Sequence, residues 1–320
     1  MEKIRLLFDK EQDYSVYADS NAKSEYEKIV SICRNYILQN NIKPTHKILE
    51  GESKIFWEVP NTHIALVELK PTMYSFTYNR YGTVMGTDEL RQKFWAIFGG
   101  SINHSLSLFA EGKHHFKNQL IENLAEEYFL KNSNNLYISN FLGSIEIDGK
   151  NYSMVYFYDS ISPLEVVWKN YMLGTMKHAL FEVEKYNTKS GKKIMYEGKF
   201  PTDIIRFDWR NPLPHKDECI CDDFAAFYTD VDNAKLTTRL VTYLLKELLS
   251  YADYELIDLC YFINYEGNCV CSEITPDGMR IRKHDTSFDK DLWRQGKTEE
   301  AIKENWGKLI EDLEKLDSLI

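Results

Sequence analysis

The sequence predicts an α+β fold in which antiparallel strand pairs and long helices occupy separate stretches of the chain. Short apolar runs flank turn residues at Pro60-Asn61 and at Asp148-Gly149, a pattern typical of β-hairpins. Other stretches, the clearest at 230–252, repeat apolar residues at helical spacing. With 320 residues and 43% hydrophobic content, the chain is long enough for two lobes or for one large domain with a sizeable core.

Each predicted element rests on its own local pattern. Apolar residues at helical spacing predict helices within 11–43 (ending near Pro44) and at 87–110, 117–131, 230–252 and 297–320. Short apolar or alternating runs predict strands at 54–59, 63–69, 136–142, 144–147, 152–158, 164–169, 255–263 and 268–274. Turn-forming residues predict loops at 71–82 and 186–201 and a hinge at 159–163.

The charge of the chain argues against nucleic acid as its main partner. The formal net charge is −10 and the pI about 5.4, whereas binding to a phosphate backbone requires clustered lysines and arginines. A local cationic pocket for a small anionic ligand remains compatible with this balance. We expect no membrane partner and a cytoplasmic protein, because the sequence shows neither a long apolar run nor a signal-peptide core. The sequence leaves the oligomeric state open, and a homo-oligomer is among the alternatives.

The cysteines fit either reduced structural thiols or a metal site. They are Cys33, Cys219, Cys221, Cys260, Cys269 and Cys271. A chain of this size without a signal peptide is expected to keep its thiols reduced. Its two Cys-x-Cys pairs lack the Cys-x-x-Cys spacing of common zinc sites, which favours structural thiols and leaves the metal site as the alternative.

The stretch 272–294 is the most informative part of the sequence. Glu273 ends an apolar run, a Thr-Pro-Asp-Gly turn follows, and Arg280 is the second residue after that turn. A dense group of opposite charges then includes Asp289, Asp291 and Arg294. Strand ends that carry an acid and an arginine are frequent sites for phosphorylated ligands and their metal. The simpler interpretation is a strand, a turn and a capped helix without a ligand.

The order Glu…Thr-Pro-Asp-Gly…Arg…Phe-Asp-Lys-Asp…Arg resembles the C-terminal signature of SAICAR synthase. That family comprises purine-pathway ligases, which join aspartate to a carboxyaminoimidazole ribotide with ATP. The resemblance extends in patches over residues 47–312 and implies a two-lobed fold, with an antiparallel-sheet N-lobe and a larger mixed α/β C-lobe around an ATP cleft. It implies a helical extension at 1–46, an N-lobe on the ATP-phosphate side at 47–160, and a C-lobe on the ribotide and metal side at 161–320.

A glycine and a lysine open the first predicted hairpin, at Glu50-Gly51-Glu52-Ser53-Lys54. Glycine lets a backbone approach a phosphate, and lysine supplies charge, although a plain turn explains so short a pattern as well. The pattern resembles the Gly-Lys-x-Lys motif of the family, with Gly51 and Lys54 matching and Glu52 replacing the first lysine. The resemblance implies that ATP and Mg²⁺ are the cofactors. Gly51, Lys54 and Glu273 would bind ATP, and Glu273 would hold Mg²⁺.

A second match lies in Pro163–Thr175, where the family pattern is Pro-x-Glu-x-x-x-Arg-Asn-x-x-x-Gly-Ser. Glu165, Asn170 and Gly174 match this pattern directly, while Lys169 replaces the arginine and Thr175 the serine. The alternative here is a buried strand followed by the start of a helix. The resemblance implies that the ribotide is bound by Lys169, Asn170, Thr175, Arg280 and Arg294. Of these, Lys169, Thr175 and Arg280 would hold its 5′-phosphate.

A third match is the charged segment 213–224, which resembles a Lys-x-Asp-Glu-x-x-Asp-Pro loop of the family. The resemblance assigns Lys216, Asp217 and Asp222 to catalysis, because this loop closes over the substrates and orients the amine donor. A loop of mixed charge can recognise both the ammonium and the carboxylate of an amino acid. The alternative is an exposed charged loop without a ligand.

Several positions depart from the family pattern, most of them on the ATP side. Ser272 replaces an acid, the strand at 255–263 carries apolar residues or a thiol where the family has a lysine and a glutamate, and within 71–78 only Ser75 matches.

Three interpretations of the function follow from these matches and departures. The chain is an aspartate-using ligase, a related ligase with altered substrates in specialised nucleoside or other secondary metabolism, or a non-catalytic homologue that binds a nucleotide or ribotide.

Overall fold

Two large antiparallel sheets, a small two-stranded sheet (β4-β5) and the helices packed against them make up the described part of the protein. The computed structural model describes residues 2–10, 12–75, 80–133, 135, 137–157, 161–174, 176–177, 180–212 and 215–317. The α-helices are α1 (Glu2–Arg5), α2 (Glu25–Gln39), α3 (Thr87–Ala110), α4 (Gln119–Lys131), α5 (Asp222–Ala225), α6 (Val231–Ser250), α7 (Asp291–Arg294) and α8 (Glu299–Asp317). The strands are β1 (Lys47–Glu50), β2 (Lys54–Glu58), β3 (Ile64–Leu69), β4 (Thr72–Ser75), β5 (Arg80–Thr83), β6 (Phe141–Ile147), β7 (Lys150–Tyr156), β8 (Ile161–Tyr171), β9 (Lys199–Trp209), β10 (Glu218–Ile220), β11 (Glu255–Asn264), β12 (Met279–Lys283) and β13 (Thr286–Ser287). These elements confirm the predicted α+β class.

The first sheet has the strand order β1-β2-β3-β7-β6, and all of its pairs are antiparallel. Lys54 lies opposite Leu69, as the predicted β2–β3 hairpin requires. Asp148 and Gly149 both have positive φ between β6 and β7, the conformation that a tight two-residue hairpin turn demands. Helix α2 packs on one face of this sheet and α3 on the other, so the sheet is covered on both faces.

The second sheet has the order β10-β9-β8-β11-β12-β13, again with antiparallel pairs. Leu164, Val166 and Trp168 of β8 are buried against the apolar side of α6. Because side chains alternate along a strand, Glu165 and Lys169 of β8 lie on the opposite face. This second, charged face carries Lys169 of β8 and Arg280 of β12, two of the residues predicted to bind the ribotide.

The proposed division of the chain at residue 160 falls between the two sheets. Every strand of the first sheet precedes it and every strand of the second follows it, while residues 158–160 lie outside the described part of the chain. Helices α3 and α4 precede the boundary and nevertheless share the main apolar core with the second sheet, α6 and α8. The two lobes and the extension at 1–46 therefore remain proposals about folding units.

Two predicted segments near the N-terminus are wrong in detail. The single helix expected within 11–43 is divided into a 3₁₀ turn at Tyr14–Tyr17 and α2, because the Ser24 hydroxyl caps α2 by accepting from Glu27 N at 3.1 Å. The loop expected at 71–82 contains β4 and β5, which pair antiparallel with Tyr74 opposite Tyr81. Residues 76–79 between them lie outside the described residues.

The strand predictions around the second sheet also need correction. The expected strand at 268–274 is irregular chain in which Val270 makes isolated bridges to Ser139 and Ile263, and it follows a turn after β11 where the Asn268 and Cys269 amides donate to Asn264 Oδ1 at 2.9 and 3.0 Å. Strand β9 begins inside the predicted loop at 186–201, and β8 takes in residues 161–163 of the predicted hinge. The strand expected at 144–147 is part of β6, which begins at Phe141, so only the last two residues of the strand expected at 136–142 lie in a strand. Among the described helices, none combines the length and the apolar run needed to cross a bilayer.

Candidate active site

The charged face of the second sheet is organised around Asp258. Lys169 of β8 and Arg280 of β12 both lie opposite Asp258 of β11 in the strand registers. Directly opposite residues share one face of a sheet, so the three side chains meet. Lys169 Nζ and Arg280 Nη1 donate to the same carboxylate oxygen, Asp258 Oδ2, at 2.7 and 2.5 Å. The fold thus brings two of the predicted ribotide residues to a single point.

These three charges are nearly or fully removed from water. Lys169 and Asp258 are 3% and 6% exposed, and only 18% of the Arg280 side chain is exposed. Burial alone raises the pKa of Asp258, but the charges of Arg280 and Lys169 outweigh that effect and hold the pKa below its ordinary value. Asp258 is therefore an ionised carboxylate that keeps both cations in place.

Arg280 also connects this centre to Arg294. Its Nε donates to Asp291 Oδ2 at 2.9 Å, and Arg294 Nη1 donates to Asp291 Oδ1 at 2.6 Å. Three cations and two carboxylates consequently form one network, with a local excess of positive charge inside an acidic protein. Such a network suits an anionic group that can accept several charge-assisted hydrogen bonds.

Asp289 is buried beneath the network and titrates unusually. It accepts from the backbone amides of Ile281 and Asp291 at 2.7 and 2.6 Å. Burial, reinforced by the charge of Asp291, raises the pKa of Asp289 to about 7. Asp289 fixes the backbone next to Arg280 and the start of α7.

Gly174 allows the backbone to pass directly beside the Arg280 guanidinium. Its φ is +64°, and a Cβ atom at this position would lie 3.3 Å from both terminal nitrogens of Arg280. A side chain here would face backbone strain as well as a crowded guanidinium. Thr175, which follows, lies outside the described residues. Asn170 is 5% exposed, and within the described chain its amide nitrogen has no hydrogen-bond partner and joins no part of the network.

A second charged centre joins the two sheets at Glu273. Lys54 of β2 forms an ion pair with Glu273 Oε2, and Arg91 of α3 places Nη2 3.7 Å from Oε1. Burial raises the pKa of Glu273, yet Lys54 and Arg91 together lower it below the ordinary value. Two of the three predicted nucleotide residues therefore meet, although they are more than two hundred positions apart in the sequence.

Arg91 is fully buried and fixes the backbone around this second centre. Its guanidinium donates to the carbonyl oxygens of Lys70 at 3.1 Å and Ser53 at 3.2 Å. Gly51 donates its amide to the Lys54 carbonyl at 2.9 Å, which closes the β1–β2 turn. The hairpin that carries Lys54 is thereby held at a defined position relative to Glu273.

The three residues predicted for catalysis in the 213–224 segment do not form one group. Lys216 is exposed, Asp217 accepts from Arg210 Nη1 at 2.7 Å, and Asp222 forms an ion pair with Lys235 of α6. Arg210 in turn lies 3.6 Å from Glu165 of β8. Asp217 thus belongs to the charged face, whereas Asp222 is engaged at the start of α5. Residues 213–214 lie outside the described chain.

Sequence reasoning missed Asp258 and Arg91, each of which organises one centre. Charged residues are almost never buried unless they are paired. An acid in the otherwise apolar run of β11, and an arginine on the buried side of α3, were signals that could have identified them. Asp291 was noticed as part of a charge cluster but was not paired with Arg280.

The described residues suit a magnesium ion whose other ligands are nucleotide phosphates better than a magnesium ion coordinated only by protein side chains. Glu273 supplies one hard carboxylate beside Lys54, and no group of three or more His, Cys, Asp or Glu side chains with metal-binding geometry occurs in the described part of the chain. Mg²⁺ commonly uses one or two carboxylates together with substrate phosphates and water.

Comparison with known proteins identifies the family of the chain. The family model for SAICAR synthetase matches residues 100–309. A solved structure of a SAICAR synthetase in complex with ADP is similar to the chain with a TM-score of 0.56 at 19% identity, over 83% of this chain and 96% of that one. At this level of identity the likeness concerns the fold.

Two relatives match in sequence. The chain is 24% identical to the bifunctional cordycepin biosynthesis cluster protein 3 of Cordyceps militaris, over 82% of this chain and 32% of that protein. It is 30% identical to the phosphoribosylaminoimidazole-succinocarboxamide synthase of Thermotoga maritima, over 42% of this chain and 56% of that protein. The chain therefore spans less than two thirds of the length of either relative. From the family match and the shared fold, the chain belongs to the SAICAR synthetase family of ATP-dependent ligases.

Proposed function

We propose that the protein is an ATP-dependent ligase that joins the carboxylate of a phosphorylated imidazole ribotide to an amine. The observation that carries this proposal is the convergence of Lys169 and Arg280 on Asp258, with Arg294 linked through Asp291. A cationic network beside Gly174, which has no side chain to cover the Arg280 guanidinium, suits the 5′-phosphate of such a ribotide.

Lys54 and Glu273 would form the nucleotide side of the site. Lys54 would bind nucleotide phosphates, and Glu273 would hold the magnesium ion that accompanies them. ATP would supply the phosphoryl group that converts the substrate carboxylate into an acyl phosphate. The contribution of the chain is then to position two anionic substrates and to neutralise their charge, with Arg91 holding the Lys54 hairpin in place.

The identity of the acid and the amine is a separate question, and one observation favours an altered pair. Cys260 and Phe262 of β11 lie opposite Val167 and Glu165, on the charged face, where the family pattern has a lysine and a glutamate. The relative from Cordyceps militaris is named for cordycepin biosynthesis, a pathway to a specialised nucleoside. As a second candidate we propose a ligase of the same fold that acts in secondary nucleoside metabolism with a different acid or amine.

Turnover distinguishes these proposals. The protein would be incubated with MgATP and carboxyaminoimidazole ribotide, with and without L-aspartate, while ADP and amide product are followed by mass spectrometry. Amide formation that depends on aspartate supports a ligase that uses the family's amine, aspartate. ADP release that does not depend on aspartate supports the second candidate, a ligase with a different acid or amine. Binding of the ribotide without any ADP release in the presence of the common L-amino acids would contradict both and leave a non-catalytic binding protein.

A further inference from the structure

A second group of charges lies on the same sheet face, away from the Lys169–Arg280 network. Glu165 of β8 and Asp208 of β9 lie directly opposite each other in the strand register, and Asp217 is joined to Glu165 through Arg210. Like charges directly opposite on neighbouring strands repel each other. A pair of acids in this position therefore favours a cation between them.

Asp208 has an oxygen available for such a cation. The residue is 8% exposed, and its Oδ2 accepts from Arg206 Nη2 at 2.6 Å. Its Oδ1 is buried and accepts no hydrogen bond from a nitrogen or oxygen donor of the described residues. The Cys219 thiol lies opposite Asp208 on β10, but a thiol is a weak donor. A buried carboxylate oxygen without a partner is costly unless a ligand donates to it.

Glu165 also lacks a close ion-pair partner among the described residues. Its only described ion-pair partner is Arg210 at 3.6 Å, longer than a hydrogen bond, and 18% of its side chain is exposed. Burial raises the pKa of Glu165; Arg210 opposes this, and the charges of Asp217 and Asp208 add to it. A carboxylate in this environment can both hold an ammonium group and accept a proton from it.

We infer that Glu165 and Asp208 form the recognition site for the ammonium group of the amine donor, an inference that rests on the proposed ligase function. A metal ion fits less well, because Arg206 and Arg210 are interleaved with the acids and no metal-binding group of three occurs in the described chain. An ammonium has three donors and requires only two well-placed acceptors here, with water for the third.

The position of the two acids agrees with the path of the reaction. Glu165 and Lys169 lie on one face of β8 four residues apart, about 13 Å along the strand. The inference requires that a ribotide bound by its phosphate at Lys169 and Arg280 extends along β8, with its imidazole carboxylate toward Glu165. Glu165 takes a proton from the ammonium, and the freed nitrogen lone pair forms the C–N bond to the acyl carbon. The C–O bond to phosphate breaks with its electron pair, and the nitrogen loses its second proton to solvent.

Hydroxylamine separates this inference from the ligase proposal itself. It is uncharged near neutral pH and traps an acyl phosphate as a hydroxamate, so it requires no ammonium site. Wild type, Glu165→Gln, Asp208→Asn and the control Glu146→Gln, an exposed acid of β6, would be compared with MgATP and carboxyaminoimidazole ribotide. Hydroxamate formation reports the activation step. Amide formation with the best substrate among ammonia and the common L-amino acids reports the amine step.

We expect Glu165→Gln and Asp208→Asn to lower kcat/KM for the amine by about tenfold to a hundredfold, the scale of a lost charge-assisted hydrogen bond. Hydroxamate formation should stay close to that of wild type in both variants, and Glu146→Gln should change neither reaction. Equal loss of both reactions, or no loss of the amine reaction, would overturn the inference. The inference would also be wrong if wild type formed hydroxamate but used none of the tested amines as a substrate. If wild type formed no hydroxamate at all, the proposed ligase function itself would be refuted.

Discussion

Arg280 and Asp258 face each other on neighbouring strands, with 2.5 Å between Nη1 and Oδ2. Because Lys169 donates to the same oxygen from the other side, one carboxylate determines where both cations lie. The consequences of this arrangement for stability, binding and pH dependence can be measured separately.

Removing the shared carboxylate should destabilise the protein strongly. In Asp258→Ala, Lys169 and Arg280 remain buried without their common partner, a situation that typically costs about 3–5 kcal/mol. Urea denaturation followed by circular dichroism would give the free energy of unfolding. The exposed Glu314→Ala on α8 serves as control and should stay within about 0.5 kcal/mol of wild type. Similar stability of the two variants would show that Asp258 does not hold the network together.

Arg280 and Lys54 should control different ligands. Arg280→Ala should weaken ribotide binding by about tenfold to a hundredfold and leave MgATP binding nearly unchanged, because it removes charge-assisted bonds on one side only. Lys54→Ala should show the opposite preference. Isothermal titration calorimetry of both variants with both ligands tests this crossed pattern. If each variant lost both ligands equally, the assignment of two separate centres would be wrong.

Gly174 offers a test with a matched control. Gly174→Ala and Gly112→Ala impose the same backbone strain, since φ is +64° and +67°, at a cost of about 1–2 kcal/mol each. Only Gly174→Ala crowds a side chain, the Arg280 guanidinium, because no atom lies within 4 Å of a Cβ at Gly112. We therefore expect comparable losses in unfolding free energy but weaker ribotide binding in Gly174→Ala alone. Weaker binding in both variants would point to a general loss of order.

Asp289 should make stability fall as the pH rises toward neutral. Its pKa is about 7 in the folded protein and near 4 when unfolded, so between these values the folded state binds more protons. The stabilisation linked to its protonated form is complete below pH 4 and is lost as the pH rises to about 7. The unfolding free energy of wild type minus that of Asp289→Asn should decrease over this range, measured by urea denaturation in matched buffers. A constant difference would mean that Asp289 is ionised throughout.

The sequence predicted the α+β class, the β2–β3 hairpin and α6 because these elements follow local rules of periodicity and turn formation. It also predicted a strand at 268–274 that does not form, because the Asn264 side chain accepts from the backbone amides of Asn268 and Cys269 where an apolar run suggests a strand. Lys169 and Arg280 were identified through a family signature. Asp258 required the strand register, which depends on pairing between distant segments.

The phosphate site can be tested by comparing the binding of carboxyaminoimidazole ribotide with that of its riboside, which lacks the 5′-phosphate. If Lys169 and Arg280 form a phosphate site, calorimetry should detect tight binding of the ribotide and at least about tenfold weaker binding of the riboside. That preference should disappear in Arg280→Ala. Equal affinity of wild type for the two compounds would contradict the account.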